Sequence, residues 1–225
     1  MWILENDLWR DTDFLFYNLV STRASGNLRE PAARAVFCRR HAIDGSSIVS
    51  AEQVHGDRIA VVDRRNQGQT IAGVDALVTQ ENGLYLSIFT ADCLAVFLAD
   101  TASRAVALVH AGWRGLAGGI IGKAVAVLAR EFGAAPKDLC VAIGPHIQKC
   151  CFGVGDDVKA AFGLAGSADS HLDLGGICRE QLQQAGVLAV SANGHCTCHE
   201  DRLCFSYRRD ATSNRLMALI GNGPN

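Results

Sequence analysis

The sequence predicts an α/β fold of the α+β kind, with layered mixed β-sheets flanked by helices, and three observations point to it. Short β-rich runs crowd the first half, helical periodicities interrupt the second, and no linker or low-complexity tract separates the two. The 225 residues, 49% of them hydrophobic, are enough to bury one full core, so residues 1–225 are read as a single domain.

The elements follow in order. FLFYNLV (14–20), SIVSAEQV (47–54), RIAVVD (58–63), DALVTQ (75–80) and LYLSIFT (84–90) carry the β-branched, aromatic and aliphatic residues of strands. LAVFLAD (94–100) and RAVALVH (104–110) flank a short turn, which predicts a hairpin. EPAARAVFCRRHA (30–42) reads as a helix with Pro31 in its first turn. LAGGIIGKAVAVLAREF (116–132) has apolar residues at helical spacing and predicts one helix, stopped by Gly133 and Pro136. LCVAIGP (139–145) reads as a buried strand, and GDDVKAAF (155–162) and LDLGGICREQLQQAG (172–186) as helices. VLAVSAN (187–193), FSYRRD (205–210) and RLMALIG (215–221) are expected to be strands or extended pieces.

Composition excludes several classes. The net charge is −2 and no dense Lys/Arg run occurs, so the basic footprint of a nucleic-acid binder is missing. MWILENDLWRDTDF places acids where a signal peptide needs a basic start. No segment reaches the roughly 18 apolar residues of a membrane span. A soluble, cytoplasmic protein with no membrane partner is expected, and nothing specifies an oligomeric state. Nine cysteines in such a chain are read as reduced thiols, most of them small buried apolar groups.

Three residues fall where strands give way to loops: His55 in EQVHGDR, Cys93 in TADCLAV and His110 in LVHAGWRG. Two imidazoles and a thiolate make a three-ligand zinc set with one tetrahedral position open. Their spacing matches no local zinc motif, and by spacing alone a buried apolar Cys with two carbonyl-bonded histidines is the favoured account. Arg114 sits at a strand–turn–helix junction, where backbone N–H groups and a guanidinium favour an anion; a surface salt bridge is the alternative. HCTCHED (195–201) invites a zinc or copper reading, but adjacent residues of an extended segment alternate sides and no second CxxC or HxxxH completes a structural zinc site, so it is set aside. On an extended FSYRRD, Arg208 and Arg209 face opposite sides, so at most one of them faces a given pocket.

QVHG (53–56), TADCL (90–94), VHAGWRGLAGG (109–119), IGPHIQKCCFGVGDDV (143–158), CT (196–197) and FSYRRD occur in that order. Together they resemble the laccase-domain family, also labelled multicopper polyphenol oxidase, purine nucleoside phosphorylase or peptidoglycan editing factor. The likeness runs from about Ser21 to Leu219, and TADC followed 17 residues later by HAGWRG is its most specific part.

The resemblance implies a cysteine-hydrolase-like α/β domain, with His55, Cys93 and His110 as ligands of a zinc ion and copper as the alternative. It implies phosphorolysis of adenosine, inosine and methylthioadenosine, with deamination of adenosine as a second activity. Purine nucleosides and phosphate are then the partners. Cys93, His110 and Arg114 are the implied catalytic groups, and Arg23, Arg114 and Arg209 the implied substrate and phosphate contacts. Asp92 is either an orienting group beside Cys93 or a loop residue.

Three departures stand out, of which the first two bear on substrate preference. STRASGNLREP is shorter than the family's usual segment, so Asn27 is only a candidate for its asparagine. Gly153 stands where an acid is usual, and CTC replaces a CTY-like motif. A multicopper mechanism would have to build a trinuclear cluster from the five histidines left over, which are too few. A Cys93/His110 hydrolase acting on cell-wall precursors is the second enzyme reading.

Overall fold

The computed structural model describes residues 1–222. The first half holds β1 (Trp2–Glu5), β2 (Leu8–Asp11), β3 (Tyr17–Ser21), α1 (Pro31–Arg40), β4 (Ile48–Ala51), β5 (Ile59–Val61) and β6 (Thr70–Ile71). β7 (Ala76–Thr79), β8 (Tyr85–Thr90), β9 (Leu94–Ala99) and β10 (Val106–Ala111) follow, then α2 (Trp113–Ala117) and α3 (Ile120–Phe132). β11 (Cys140–Ile143), α4 (Asp156–Ala160), α5 (Leu174–Gln184), β12 (Ala189–Ala192), α6 (Tyr207–Asp210) and β13 (Leu216–Gly221) complete the described chain.

The strands form two mixed sheets, ordered β1-β2-β3-β13-β8-β4-β6 and β12-β11-β9-β10-β7-β5. Alternation along each central strand explains their packing. In β9, Leu94, Val96 and Leu98 face α3 and α5, while Ala95, Phe97 and Ala99 face the other sheet. In β13, Leu216, Ala218 and Ile220 face the space between sheets, and Met217 and Leu219 meet Phe37 of α1. The layers therefore run α1, seven-stranded sheet, six-stranded sheet, α3 with α5. Both sheets are covered on both faces, which is why their central strands read as unbroken apolar runs.

Two expectations are corrected, and one element is added. The segment 116–132 is not one helix: α2 ends at Ala117, and Gly119 takes φ 74° before α3 begins, a conformation that Gly adopts without a Cβ penalty. FSYRRD is not a strand, because Ser206 accepts the Arg209 N–H at 3.2 Å and caps the single turn of α6. The N-terminal acids belong to a hairpin, in which Asn6 and Asp7 supply the two positive φ values (51° and 62°) of its turn. The predicted hairpin of β9 and β10 is present, with Val106 opposite Ala99.

Candidate metal centre and cavity

Strand register brings the three sequence-distant candidate ligands together. β10 runs antiparallel to both of its neighbours, pairing Val109 with Ala76 of β7 and Ala111 with Leu94 of β9. The end of β10 thus lies beside the residues just before β7 and β9, which are Asp75 and Cys93. β5 runs parallel to β7 with Ile59 opposite Ala76, so the loop before β5 delivers His55 to the same sheet end. The donor atoms of His55, Cys93 and His110 all lie within 4.8 Å of one another, and the two imidazole rings meet edge to face at 4.9 Å. His55 is exposed, Cys93 half-buried and His110 buried.

The loop that carries His55 is held against its own preferences. Gln53 and His55 take φ 64° and 58°, a conformation costing about 1–3 kcal/mol for a residue with a side chain. The Gln53 amide offsets this by donating to the Phe89 carbonyl at 2.7 Å and accepting the Phe89 N–H at 2.8 Å. Asp75 does the rest. Its Oδ1 accepts from the His55 N–H at 3.0 Å and lies 2.7 Å from His110 Nδ1, and its Oδ2 accepts from Val54 and Gly56 N–H at 3.1 and 2.7 Å.

A carboxylate at Nδ1 keeps the proton on that nitrogen and turns Nε2 towards the cluster. Burial pushes the His110 imidazole down, but the Cys93 sulfur and Asp75 outweigh it and hold the group at about 9. Burial likewise pushes the Cys93 thiol up, and His110 and His55 bring it down to about 6. Asp75 itself stays below the usual carboxylate range: burial raises it, and His110 and the Gly56 and Val54 amides more than compensate. A sulfur that ionises so readily, an oriented imidazole and a second imidazole are donors that a metal ion accepts. The glycines of HAGWRG are sized to this cluster. A Cβ on Gly112 would lie 3.1 Å from Cys93 Sγ, and one on Gly115 2.8 Å from the Gly56 carbonyl oxygen.

The cluster opens onto a cavity of about 530 Å³. Arg114 lines it and stacks on Trp113 at 4.1 Å, and Arg29 lines it and stacks on Phe89 at 5.6 Å. Neither guanidinium has a hydrogen bond or ion pair among the described residues, whereas the other two arginines in the wall are engaged. Arg208 donates to the Cys151 and Gly153 carbonyls at 3.1 and 2.9 Å, and Arg215 to those of Thr212 and Asn214 at 2.7 and 2.9 Å. Gly153 is also in the wall.

Arg23 and Arg209 do not line this cavity. Arg23 reaches the Asp201 carbonyl and the Asp210 carboxylate, and Arg209 donates to the Thr197, Cys198 and Cys204 carbonyls and to Asp210. Both are spent on the loops behind the wall. The short 24–31 segment puts Arg29 at the cavity instead, while Asn27 accepts from the Arg215 N–H at 3.2 Å. Asp92, at φ 91°, accepts from Thr197 Oγ1 at 2.6 Å and Arg208 N–H at 2.7 Å, so its carboxylate ties together the loops around Cys93.

The description multi-copper polyphenol oxidoreductase laccase matches residues 22–222. The chain belongs to this laccase family. Among its relatives, a purine nucleoside phosphorylase of Streptomyces coelicolor is 36% identical over 84% of this chain and 81% of its own length. YlmD of Geobacillus stearothermophilus, also named a purine nucleoside phosphorylase, is 39% identical over 77% and 71%. An adenosine deaminase from an unknown prokaryotic organism is 34% identical over 85% and 81%. The crystal structure of YlmD superposes over 99% of each chain with a TM-score of 0.89 and 29% identity, and YfiH of Bacillus licheniformis over 98% of each with 0.88 and 25%. The layered α/β fold is therefore that of the laccase family.

Sequence reasoning missed Asp75, Arg29 and Arg215. The only local signal for Asp75 is an acid opening the otherwise apolar run DALVT. It also set HCTCHED aside for want of a partner pair. The structure supplies one: Cys196 and His199 lie with Cys150 and Cys151 in a second cluster, all four donor atoms within 4.8 Å.

Proposed function

We propose that this chain is a zinc-dependent enzyme that phosphorolyses purine nucleosides, adenosine, inosine and methylthioadenosine among them, and also deaminates adenosine. The observation that carries the reading is the cavity, where a three-residue candidate metal-ligand set and two guanidiniums without a hydrogen bond or ion pair among the described residues open onto one space. Its volume suits a ligand of nucleoside size. Relatives named purine nucleoside phosphorylase and adenosine deaminase support the same chemistry.

A zinc ion held by His55, Cys93 and His110 would supply Lewis-acid activation at that wall. Arg29 and Arg114 receive phosphate and hold it with charge-assisted hydrogen bonds. Trp113, Phe152 and Tyr207 offer faces on which a purine packs. In phosphorolysis a phosphate oxygen bonds to C1′ as the bond from C1′ to the base breaks, and its electron pair leaves with the purine. In deamination water adds at C6 and ammonia departs. Asp75 keeps the His110 proton on Nδ1 throughout, and Asp92 holds the wall loops in register. The proposed setting is the cytoplasm, where the nine unpaired cysteines stay reduced.

Incubating zinc-loaded protein with adenosine, with and without phosphate, tests this by chromatography of adenine, inosine and hypoxanthine. Adenine appearing only with phosphate, and inosine without it, is expected. No product from wild type, with His110→Ala behaving alike, refutes the reading.

One observation favours a second reading: Asp75, His110 and Cys93 form a base-orienting chain onto a low-pKa thiol, the arrangement of a Cys/His hydrolase. Metal-free protein that retains activity and loses it to iodoacetamide would select the hydrolase. Activity that depends on metal and is protected by it selects the nucleoside enzyme.

A further inference from the structure

The second cluster lies outside the cavity and takes no part in the chemistry above. Two tight turns build it. Cys151 and Phe152 N–H both donate to the Gln148 carbonyl, folding Cys150 and Cys151 back, and His199 and Glu200 N–H donate to the Cys196 carbonyl, bringing His199 over Cys196. A β-bridge between His146 and Cys196, with the Thr197 N–H on the His146 carbonyl at 3.1 Å, sets the turns face to face.

The sulfur spacing is that of a coordination shell, and the imidazole already stands in contact with it. Cys150 and Cys151 Sγ are 3.8 Å apart, and zinc–sulfur bonds of about 2.3 Å in a tetrahedron require sulfurs about 3.8 Å apart. His199 Nε2 is 3.1 Å from Cys151 Sγ. Cys196, buried, completes the set, and its sulfur accepts the Gln148 N–H at 3.4 Å, the kind of amide contact that stabilises a ligating thiolate. Cys150 and His199 are exposed, so an ion reaches the site from solvent. The donors are three sulfurs and one nitrogen, a soft set that selects zinc over hard cations such as magnesium or calcium.

We propose that Cys150, Cys151, Cys196 and His199 bind a second zinc ion, in a closed four-ligand structural site. Four protein ligands leave no position for substrate, so the ion acts as a staple. It joins the loop that continues into Phe152 and Gly153 of the cavity wall to the segment whose Thr197 hydroxyl reaches Asp92. The cavity wall thereby acquires a metal cross-link in addition to the hydrogen bonds that join these segments.

Metal counting after zinc loading and desalting tests the site independently of any activity. Wild type is expected to hold about two zinc ions per chain, and His55→Ala/Cys93→Ser and Cys151→Ser/His199→Ala about one each. In the His55→Ala/Cys93→Ser protein, Co²⁺ titration should raise a sulfur-to-cobalt charge-transfer band, and zinc should raise the melting temperature. That measurement leaves the second cluster intact, so it does not depend on the folding of the other variant. Zinc content unchanged by Cys151→Ser/His199→Ala, no sulfur band with Co²⁺, or a disulfide among the three cysteines of the reduced, zinc-loaded protein would each overturn the proposal. Loss of zinc at the first cluster alone leaves the count for the second at about one, so the failures of the two readings are distinguishable.

Discussion

Asp75→Asn is the most informative substitution, because four donors converge on one carboxylate. Its two oxygens take N–H groups from Val54, His55 and Gly56 and the Nδ1 proton of His110. Asparagine keeps one oxygen and turns the other position into a donor. If the amide nitrogen faces Val54 and Gly56, two backbone N–H groups lose their acceptor, at about 1–3 kcal/mol each. If it faces His110, the imidazole accepts instead, its proton moves to Nε2, and the ligand nitrogen is blocked. Either way the metal site loses its support, and groups orienting a ligand in this manner contribute about 10- to 100-fold in affinity. Zinc affinity measured by competition with a chromophoric chelator should fall by that factor, with a melting temperature below that of wild type even in the metal-free protein. Wild-type zinc affinity in Asp75→Asn would refute the claim that this carboxylate sets the His110 tautomer.

The remaining predictions concern the sulfur, the glycine and the arginines. In metal-free protein, Cys93 alkylation by iodoacetamide should rise through pH about 6, because the thiolate is held by His110 and His55; His110→Ala should move that midpoint up by more than one pH unit, and an unchanged midpoint would remove His110 as the cause. Gly112→Ala should weaken zinc binding about 10-fold or more by pushing a methyl group at Cys93 Sγ. Its denaturant midpoint should stay near wild type, since Gly112 has φ −78° and an alanine fits that backbone. Arg29→Ala and Arg114→Ala should each raise the phosphate KM by about 10- to 150-fold, the worth of a charge-assisted hydrogen bond of about 1.5–3 kcal/mol. Arg23→Ala should leave that KM unchanged, because its guanidinium serves Asp201 and Asp210; equal effects in all three would mean that the cavity wall is wrongly drawn.

Local information in the chain carries the strands, most helices and the ligand types. Unbroken apolar runs such as LAVFLA and VALV already state that both faces of a central strand are buried, since a half-exposed strand would alternate. Polar residues interrupting such runs at their ends, Cys93 and His110 among them, mark where the backbone leaves the sheet. Gly118 and Gly119 stand at the break between α2 and α3, but helical periodicity on both sides obscures it. FSYRRD misled for a related reason: four residues are too few for periodicity to distinguish one helical turn from an extended piece.

Which residues meet was decided by tertiary structure alone. Asp75 reaches His110 because β7 and β10 are antiparallel in one register, and that pairing is a property of the sheet. Arg29 rather than Arg23 faces the cavity because the Asp210 carboxylate and the Asp201 carbonyl engage Arg23. The same reason underlies the second cluster. Of HCTCHED only Cys196 and His199 enter the cluster, and their partners, Cys150 and Cys151, lie more than forty residues upstream. Residue type determines which chemistry a side chain can offer. Strand register and turn packing determine which other side chains stand within bonding distance, and no local pattern encodes that distance.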